Sequence, residues 1–176
     1  MLLAVASEHQ AALMAPTELL AEQHFASISR MLTGSRVRIE LLTGAVKGPE
    51  RESILSRLAA GEIDILIGTH ALLTESVRFA SLAVAIVDEQ HRFGVHQRAS
   101  LRVKAEDERS TPHLLVMTAT PIPRTLTISL LGDLDVSIIA GLPPGRKPIA
   151  TRVVNPEKRA EVFDFVRSRI ERAKVG

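Results

Sequence analysis

The sequence predicts an α/β fold in which a parallel sheet is flanked by helices. Short apolar runs have the length and β-branched content of buried strands, and the clearest is the six-residue run 82–87. Segments with apolar residues at helical spacing alternate with these runs, as expected for right-handed crossovers between parallel strands. At 176 residues and 45% apolar composition, the chain is long enough to bury a sizeable core.

In the amino-terminal half we predict three strands, at 10–15, 37–42 and 63–67. Residues 1–9 have the pattern of the end of a helix. After the first strand, Thr17 can cap a helix that ends at Gly34. Gly48-Pro49-Glu50 opens the next helix with proline at its first position, and Gly61 ends it.

In the carboxyl-terminal half we predict strands at 82–87, 113–117 and 135–140. Short helices are expected at 94–102 and in a segment that ends at Leu131. The segment 142–148 contains three prolines and one glycine, which is typical of a linker. Asn155-Pro156-Glu157 is expected to cap a last helix.

Composition narrows the class of protein. The net charge is only +2, although arginine outnumbers lysine and suits phosphate contacts. There is no cysteine, which excludes disulfides and thiolate metal sites. There is no tryptophan or tyrosine, so binding of bases by aromatic stacking is not expected. The short apolar amino terminus has neither the basic leader of a signal peptide nor the length of a membrane span, and we expect a cytoplasmic protein without membrane contact.

Two carboxylates, Asp88 and Glu89, directly follow the apolar run 82–87. Ligands of open α/β sheets bind at the carboxyl edge, where such a strand ends. Asp88 there suits a nucleotide-bound Mg²⁺, held through water, and Glu89 suits an attacking water. The same stretch is compatible with a plain strand followed by an acidic turn.

Small and polar residues also follow the other predicted strands. Their backbone amides and hydroxyls suit the phosphates of a nucleic-acid strand, although each alone is compatible with a helix cap or a tight turn. The residues concerned are Pro16, Thr17, Thr43, Gly44, Gly68, Thr69, His70, Thr118, Ala119 and Thr120.

Taken together and in order, these motifs resemble those of the superfamily 2 helicases of the RecG type. Ala15-Pro16-Thr17-Glu18, with Leu20-Ala21-Glu22-Gln23-His24, resembles motif Ia. Leu42-Thr43-Gly44 and Gly68-Thr69-His70 resemble further strand-contacting motifs. Asp88-Glu89-Gln90-His91 is similar to the Walker B (DExH) motif, and the stretch from Met117 to Leu126 is similar to motif III. A transcription-repair coupling factor is the alternative, but Gln90 and His91 fit its motif less well.

The resemblance implies roles for these residues in a DNA helicase that unwinds and branch-migrates branched DNA. Asp88 would position Mg²⁺ and Glu89 would activate water. Gln90 and His91 would face the motif III loop, where Thr118, Ala119, Thr120 and Arg124 would couple the state of ATP to DNA contact. His91 is also compatible with a structural histidine. Arg92 and Arg124 fit DNA phosphate, the interdomain cleft or a surface salt bridge equally well.

Some parts of the family pattern are missing. No Gly-x-x-x-x-Gly-Lys-Ser/Thr phosphate loop occurs in the sequence. The resemblance therefore implies a fragment: residues 1–141 as part of a first RecA-like ATP-binding domain, 142–154 as a linker, and 155–176 as the first helix of a second. Without the phosphate-loop strand we expect an open gap in the sheet, whose unpaired edge invites a homo-oligomer.

Three hypotheses follow for the chain. It belongs to an ATP- and Mg²⁺-dependent helicase motor whose parent protein does the chemistry; it binds DNA through its loops without catalysis; or it does neither. Because the phosphate-loop lysine is missing, we expect negligible ATP hydrolysis by the isolated chain.

Overall fold

The computed structural model describes residues 1–89, 111–119, 135–139, 141, 149, 151 and 153–173. The chain divides into two compact units, Met1–Leu134 and Asp135–Gly176. No helix in the described ranges is both long enough and apolar enough to span a bilayer.

The first unit is built on a five-stranded, all-parallel sheet with the spatial order β2-β3-β1-β4-β5. This confirms the predicted α/β architecture with a parallel sheet. Because all strands run the same way, their carboxyl ends share one edge. The strands are β1 Gln10–Met14, β2 Ile39–Leu42, β3 Ile65–Gly68, β4 Leu82–Asp88 and β5 His113–Met117.

Within the described part of this unit, three α-helices and one 3₁₀ helix accompany the strands: α1 Leu2–Ala6, α2 Glu18–Met31, α3 Gly48–Ala59 and the 3₁₀ helix His70–Leu73. Thr17 caps α2 as predicted, because its Oγ1 accepts a hydrogen bond from the Leu20 amide at 3.3 Å. Pro49 lies in the first turn of α3, at its second residue, one position later than predicted. Gly61 follows α3 at φ +72°, a conformation that favours glycine.

Both faces of the sheet are covered, which explains why the strands are apolar without alternation. Ala12, Met14 and Leu66 pack on the same face as α3 residues Ile54 and Leu58. On the other face, a second cluster joins strand residues to α2; its members include Ala11, Leu13, Ile65, Ile67, Ala21, Leu20, Phe25, Ile28, Val84 and Ile86. Successive strand residues thus alternate between two cores.

One expectation about the sheet is wrong. Residues 135–139 form no strand, and Val136, Ile138 and Ile139 are exposed rather than packed against a neighbour; Ala140 lies outside the described residues. The five described strands form one continuous ladder with β2 and β5 outermost, which does not test the predicted gap beside a missing phosphate-loop strand, so the gap stays a prediction. Among the described residues, no strand pairs with the outer sides of β2 and β5, and Leu115 and Met117 on β5 are partly exposed.

The second unit contains a 3₁₀ turn, Pro156–Lys158, followed by α4, Arg159–Ala173. The predicted cap is backbone only: the Asn155 carbonyl accepts from the Lys158 amide at 3.0 Å, and the Asn155 side chain makes no capping bond. Apolar residues of α4, including Phe163 and Phe165, are exposed. The predicted helices at 94–102 and up to Leu131, and the linker 142–148, lie outside the described residues.

Candidate functional site

The carboxyl edge of the sheet brings the predicted site residues together in a definite order. Along β2-β3-β1-β4-β5, this edge carries Thr43 and Gly44, then Thr69 and His70, Pro16 and Thr17, Asp88 and Glu89, and Thr118 and Ala119. The residues predicted to contact a nucleic-acid strand follow β2, β3 and β1. The acidic pair and the motif III residues follow β4 and β5. The two predicted sets therefore lie side by side, with β1 at their border.

Asp88 ends β4 on the face that α2 covers. Side chains alternate along a strand, so Asp88 shares this face with Val84 and Ile86, which pack in the cluster containing α2. Its Oδ2 lies 2.7 Å from Nε2 of His24, and the two side chains are 18% and 30% exposed. An ionised carboxylate only accepts hydrogen bonds, so the His24 ring donates from Nε2.

Glu89 adopts a backbone conformation that is rare for a residue with a side chain, at φ +49°. Its amide donates to the carbonyl oxygen of Met117 at 3.0 Å, and its Oε2 accepts from the Ala119 amide at 3.3 Å. The carboxylate is therefore bonded to the loop that follows β5. Strained residues of this kind cluster at functional sites, which makes Glu89 the outlier of interest here.

The three threonines that follow β1, β2 and β3 differ in their access to solvent. Thr17 is exposed, whereas Thr43 is 3% and Thr69 is 2% exposed. Thr43 Oγ1 accepts from the Ala45 amide at 3.3 Å, which leaves its hydroxyl proton for another partner. Thr69 Oγ1 is buried without a hydrogen-bond partner among the described residues. Pro16, Gly44 and His70 are exposed at the same edge.

The glycines at this edge are placed where another residue comes close. A Cβ on Gly68 would overlap the backbone carbonyl oxygen of Leu42 and lie 3.1 Å from Leu72 Cδ2. A Cβ on Gly44 would lie 3.2 Å from Glu18 Oε1, so the loop after β2 is packed against the first turn of α2. The close approach of Leu42 and Leu72 therefore explains why position 68 is glycine, without reference to any ligand.

Four of the predicted site residues, Gln90, His91, Thr120 and Arg124, lie outside the described residues, as does Arg92. Their predicted roles therefore stay predictions.

The donor set at this edge fits a hydrated Mg²⁺ better than a metal cage. Among the described residues there is no group of three or more histidine, aspartate or glutamate side chains that could hold a metal. Mg²⁺ typically keeps several waters and binds one or two carboxylates together with substrate phosphates. Asp88, with Oδ2 already bonded to His24, fits the part of a single carboxylate in such an arrangement.

His24 is predicted only as part of the stretch that resembles motif Ia, yet the sequence contains a signal for an individual role. The apolar residues of α2 that face the sheet, together with the C-cap residue, are Leu20, Ala21, Phe25, Ile28 and Leu32. His24 lies four residues after Leu20 and four before Ile28, so it belongs to this same stripe. A polar residue within an apolar stripe needs a partner. The partner is Asp88, 64 positions away.

At the opposite end of the strands, where β2 and β3 begin, an ion pair between Arg38 and Asp64 shifts the pKa values of both side chains. Arg38 donates through Nε and Nη2 to both carboxylate oxygens of Asp64, at 3.1 and 2.6 Å. These bonds lower the pKa of Asp64 below its usual value and raise that of Arg38. Arg38 also donates to the Gly61 carbonyl oxygen at 2.8 Å, so the pair joins the entries of β2 and β3 to the end of α3.

Comparison with known proteins identifies the family to which the chain belongs. The family model described as DEAD/DEAH box helicase matches residues 1–128. The chain is 51% identical to the ATP-dependent DNA helicase RecG of Pasteurella multocida over 162 residues, 92% of this chain and 23% of that protein. It is 49% identical to RecG of Bacillus subtilis over 171 residues, 97% of this chain and 24% of that protein. The chain thus spans about a quarter of the length of these relatives.

Comparison with solved structures supports the same family. A RecG structure bound to a three-way DNA junction superposes with a TM-score of 0.75 at 40% identity, covering 93% of this chain and 21% of that one. The helicase MrfA shares the fold, with a TM-score of 0.56 at 18% identity over 72% of this chain and 22% of that one. The RecG relatives favour the RecG interpretation over the coupling-factor alternative. The chain belongs to the DEAD/DEAH box family of ATP-dependent DNA helicases and is of the RecG type.

Proposed function

We propose that this chain supplies most of the first motor domain of an ATP-dependent helicase that remodels branched DNA. The observation that carries this proposal is the arrangement of the carboxyl edge. There the acidic pair, the loop after β5 and the three polar strand ends lie in one row. The RecG relative bound to a three-way junction supports branched DNA as the substrate.

In this proposal, Asp88 and Glu89 divide the nucleotide chemistry between them. A bound Mg²⁺ would neutralise charge on the phosphates, and Asp88 would hold it through a water. Glu89 would orient or deprotonate the attacking water. The bond from the Ala119 amide to Glu89 supports a link between the state of the nucleotide and the loop after β5.

The loops after β2, β3 and β1 are proposed to bind the phosphates of a DNA strand. Thr17, Gly44 and His70 are exposed, and they would contact phosphate through a side-chain hydroxyl, a backbone amide and an imidazole ring, respectively. Thr69 is buried, so its part in binding would be to shape the loop or to use its backbone. Phosphate contacts set the register of the DNA but do not read its sequence.

The domain boundaries remain a proposal as well. Residues 1–141 would form the partial ATP-binding domain and 142–154 a linker. Residues 155–176, which contain α4, would begin the second RecA-like domain. The exposed apolar residues of α4, among them Val162, Phe163 and Val166, are consistent with a helix that packs against further protein.

The test is a chimera in which this chain replaces the matching segment of Bacillus subtilis RecG. We expect DNA-stimulated ATP hydrolysis and unwinding of a three-way junction. Glu89→Gln should lower turnover by about 10²- to 10⁴-fold, since it removes the general base. A folded chimera without hydrolysis would refute the motor role, and undiminished turnover in Glu89→Gln would refute the role of Glu89.

A second candidate, a DNA-binding chain without catalysis, is favoured for the isolated 176 residues by the missing Gly-Lys-Ser/Thr motif. We expect the purified chain to hydrolyse no ATP but to bind a three-way junction, with an affinity that falls steeply as salt is added. Hydrolysis that vanishes in Glu89→Gln would contradict the non-catalytic candidate. Absence of any salt-dependent binding would contradict the proposed DNA loops.

A further inference from the structure

We propose that His24 is a positioning residue for Asp88: it holds the carboxylate so that Oδ1 is presented to the water shell of Mg²⁺. This inference rests on the proposed function, because it needs Asp88 to be the metal carboxylate. It concerns a residue of α2 that the acidic motif does not contain. The observation behind it is the 2.7 Å contact between His24 Nε2 and Asp88 Oδ2.

The contact restricts a side chain that otherwise has freedom. The terminal torsion of an aspartate is broad and roughly two-fold, so a free carboxylate exchanges its two oxygens. A hydrogen bond to Oδ2 removes that freedom and distinguishes Oδ1 from Oδ2. Ligands of a metal are commonly oriented in this way by a hydrogen-bond partner outside the coordination shell.

A purely structural role explains the histidine less well. The helix α2 is already held to the sheet by apolar residues, including Leu20, Ala21, Phe25 and Ile28. An apolar side chain at position 24 would continue that stripe and remove the need to satisfy a polar ring. A partly exposed pair of this kind adds little to stability. The structural role therefore predicts that His24→Leu is tolerated without effect on metal binding.

The positioning role and the structural role of His24 predict different results in a metal titration of the purified chain. Mn²⁺ serves as the probe, because it takes the same oxygen ligands as Mg²⁺ and broadens nearby NMR signals. In the wild-type chain we expect broadening centred on the amides of Asp88 and Glu89. Asp88→Asn should abolish it. His24→Leu should weaken the apparent affinity about tenfold, the lower end of the usual effect of such partners.

Conservative variants distinguish positioning from folding. The side-chain amide nitrogen of glutamine reaches about as far as Nε2 of histidine, whereas that of asparagine is one methylene shorter. We therefore expect His24→Gln to restore most of the Mn²⁺ affinity and His24→Asn to fail, although both are polar and folded. The matched control is His9→Leu, which removes a histidine bonded to Ser81 Oγ at 2.6 Å at the other edge of the sheet.

Each outcome decides something. If Mn²⁺ broadens the Asp88 signals equally in wild type and His24→Leu, the positioning role is wrong and the metal role of Asp88 stands. If His24→Asn restores the Mn²⁺ affinity as well as His24→Gln does, the length of the side chain does not matter, and the positioning role is also wrong. If the wild-type chain shows no broadening at Asp88, the contact with His24 does not present the carboxylate to a metal and the positioning role is wrong; a metal role of Asp88 together with nucleotide phosphates is then tested by Asp88→Asn in the chimera. The chimera then decides the motor function independently.

Discussion

Gln10 is the buried polar residue whose loss should most damage the first unit. It is 5% exposed at the start of β1. Its Nε2 donates to the carbonyl oxygens of Leu58 at 3.0 Å and Ile63 at 2.7 Å, and its Oε1 accepts from the Ser81 amide at 3.0 Å. One side chain thus joins the end of α3, the entry to β3 and the entry to β4.

The cost of Gln10→Met follows from the partners it leaves behind. The Leu58 carbonyl keeps a bond from the Gly61 amide at 3.1 Å, so it is not orphaned. The Ile63 carbonyl loses its donor and the Ser81 amide loses its acceptor, and each buried unsatisfied group costs about 1–3 kcal/mol. Methionine fills a similar volume, so no large cavity adds to this. We expect a loss of about 3 kcal/mol.

Urea unfolding of the chain measures this loss. Because there is no tryptophan or tyrosine, the transition is followed by far-UV circular dichroism. With a denaturant slope of about 2 kcal/mol/M, the midpoint should fall by about 1.5 M urea. The matched control is Gln23→Met on the exposed side of α2, which should change stability by less than about 0.5 kcal/mol. Equal midpoints for the two variants would refute the reasoning.

Three further predictions concern the backbone and the ion pair. Glu89→Gly should be more stable than Glu89→Ala by about 1 kcal/mol in urea unfolding, because φ +49° suits glycine; the reverse order would show that no strain is present. Gly68→Ala should cost about 2 kcal/mol or more, because its Cβ would overlap the Leu42 carbonyl, and an unchanged midpoint would contradict that contact. The bond from Arg38 lowers the pKa of Asp64, so it contributes stability above about pH 4 that is lost as the pH falls through the lowered pKa. Arg38→Met should therefore lose less stability than wild type between pH 5 and pH 3, and parallel pH profiles would count against the linkage.

The elements of the fold were predictable where apolar patterning and local signals agree. The strands β1, β3, β4 and β5 follow apolar runs, and Thr17 and Pro49 mark the starts of α2 and α3. The predicted strand at 135–140 has the same apolar character but no described partner strand. A strand needs a neighbour for its backbone groups, and a single segment does not reveal whether one exists.

The site was predictable in composition and in location, but not in its contacts. Strand ends of a parallel sheet meet at one edge, so Asp88, Thr17 and Thr43 could be placed there from the order of elements alone. The burial of Thr69 and the bond between His24 and Asp88 depend on how α2 and the loops pack. The apolar stripe of α2 indicates that His24 needs a partner, but no local signal identifies that partner as Asp88, 64 positions away.

Under the proposed function, α2 is the element that joins the DNA-binding half of the edge to the nucleotide-binding half. β1, which carries the third of the proposed DNA loops, lies next to β4, which carries the acidic pair. The helix that follows β1 begins at Thr17 and reaches Asp88 through His24, a rise of about 10 Å along one helix. A packed helix moves as a unit, so a shift imposed at Thr17 by a bound phosphate would displace His24 as well. Under the two proposals, one rigid element therefore connects DNA contact to the metal carboxylate.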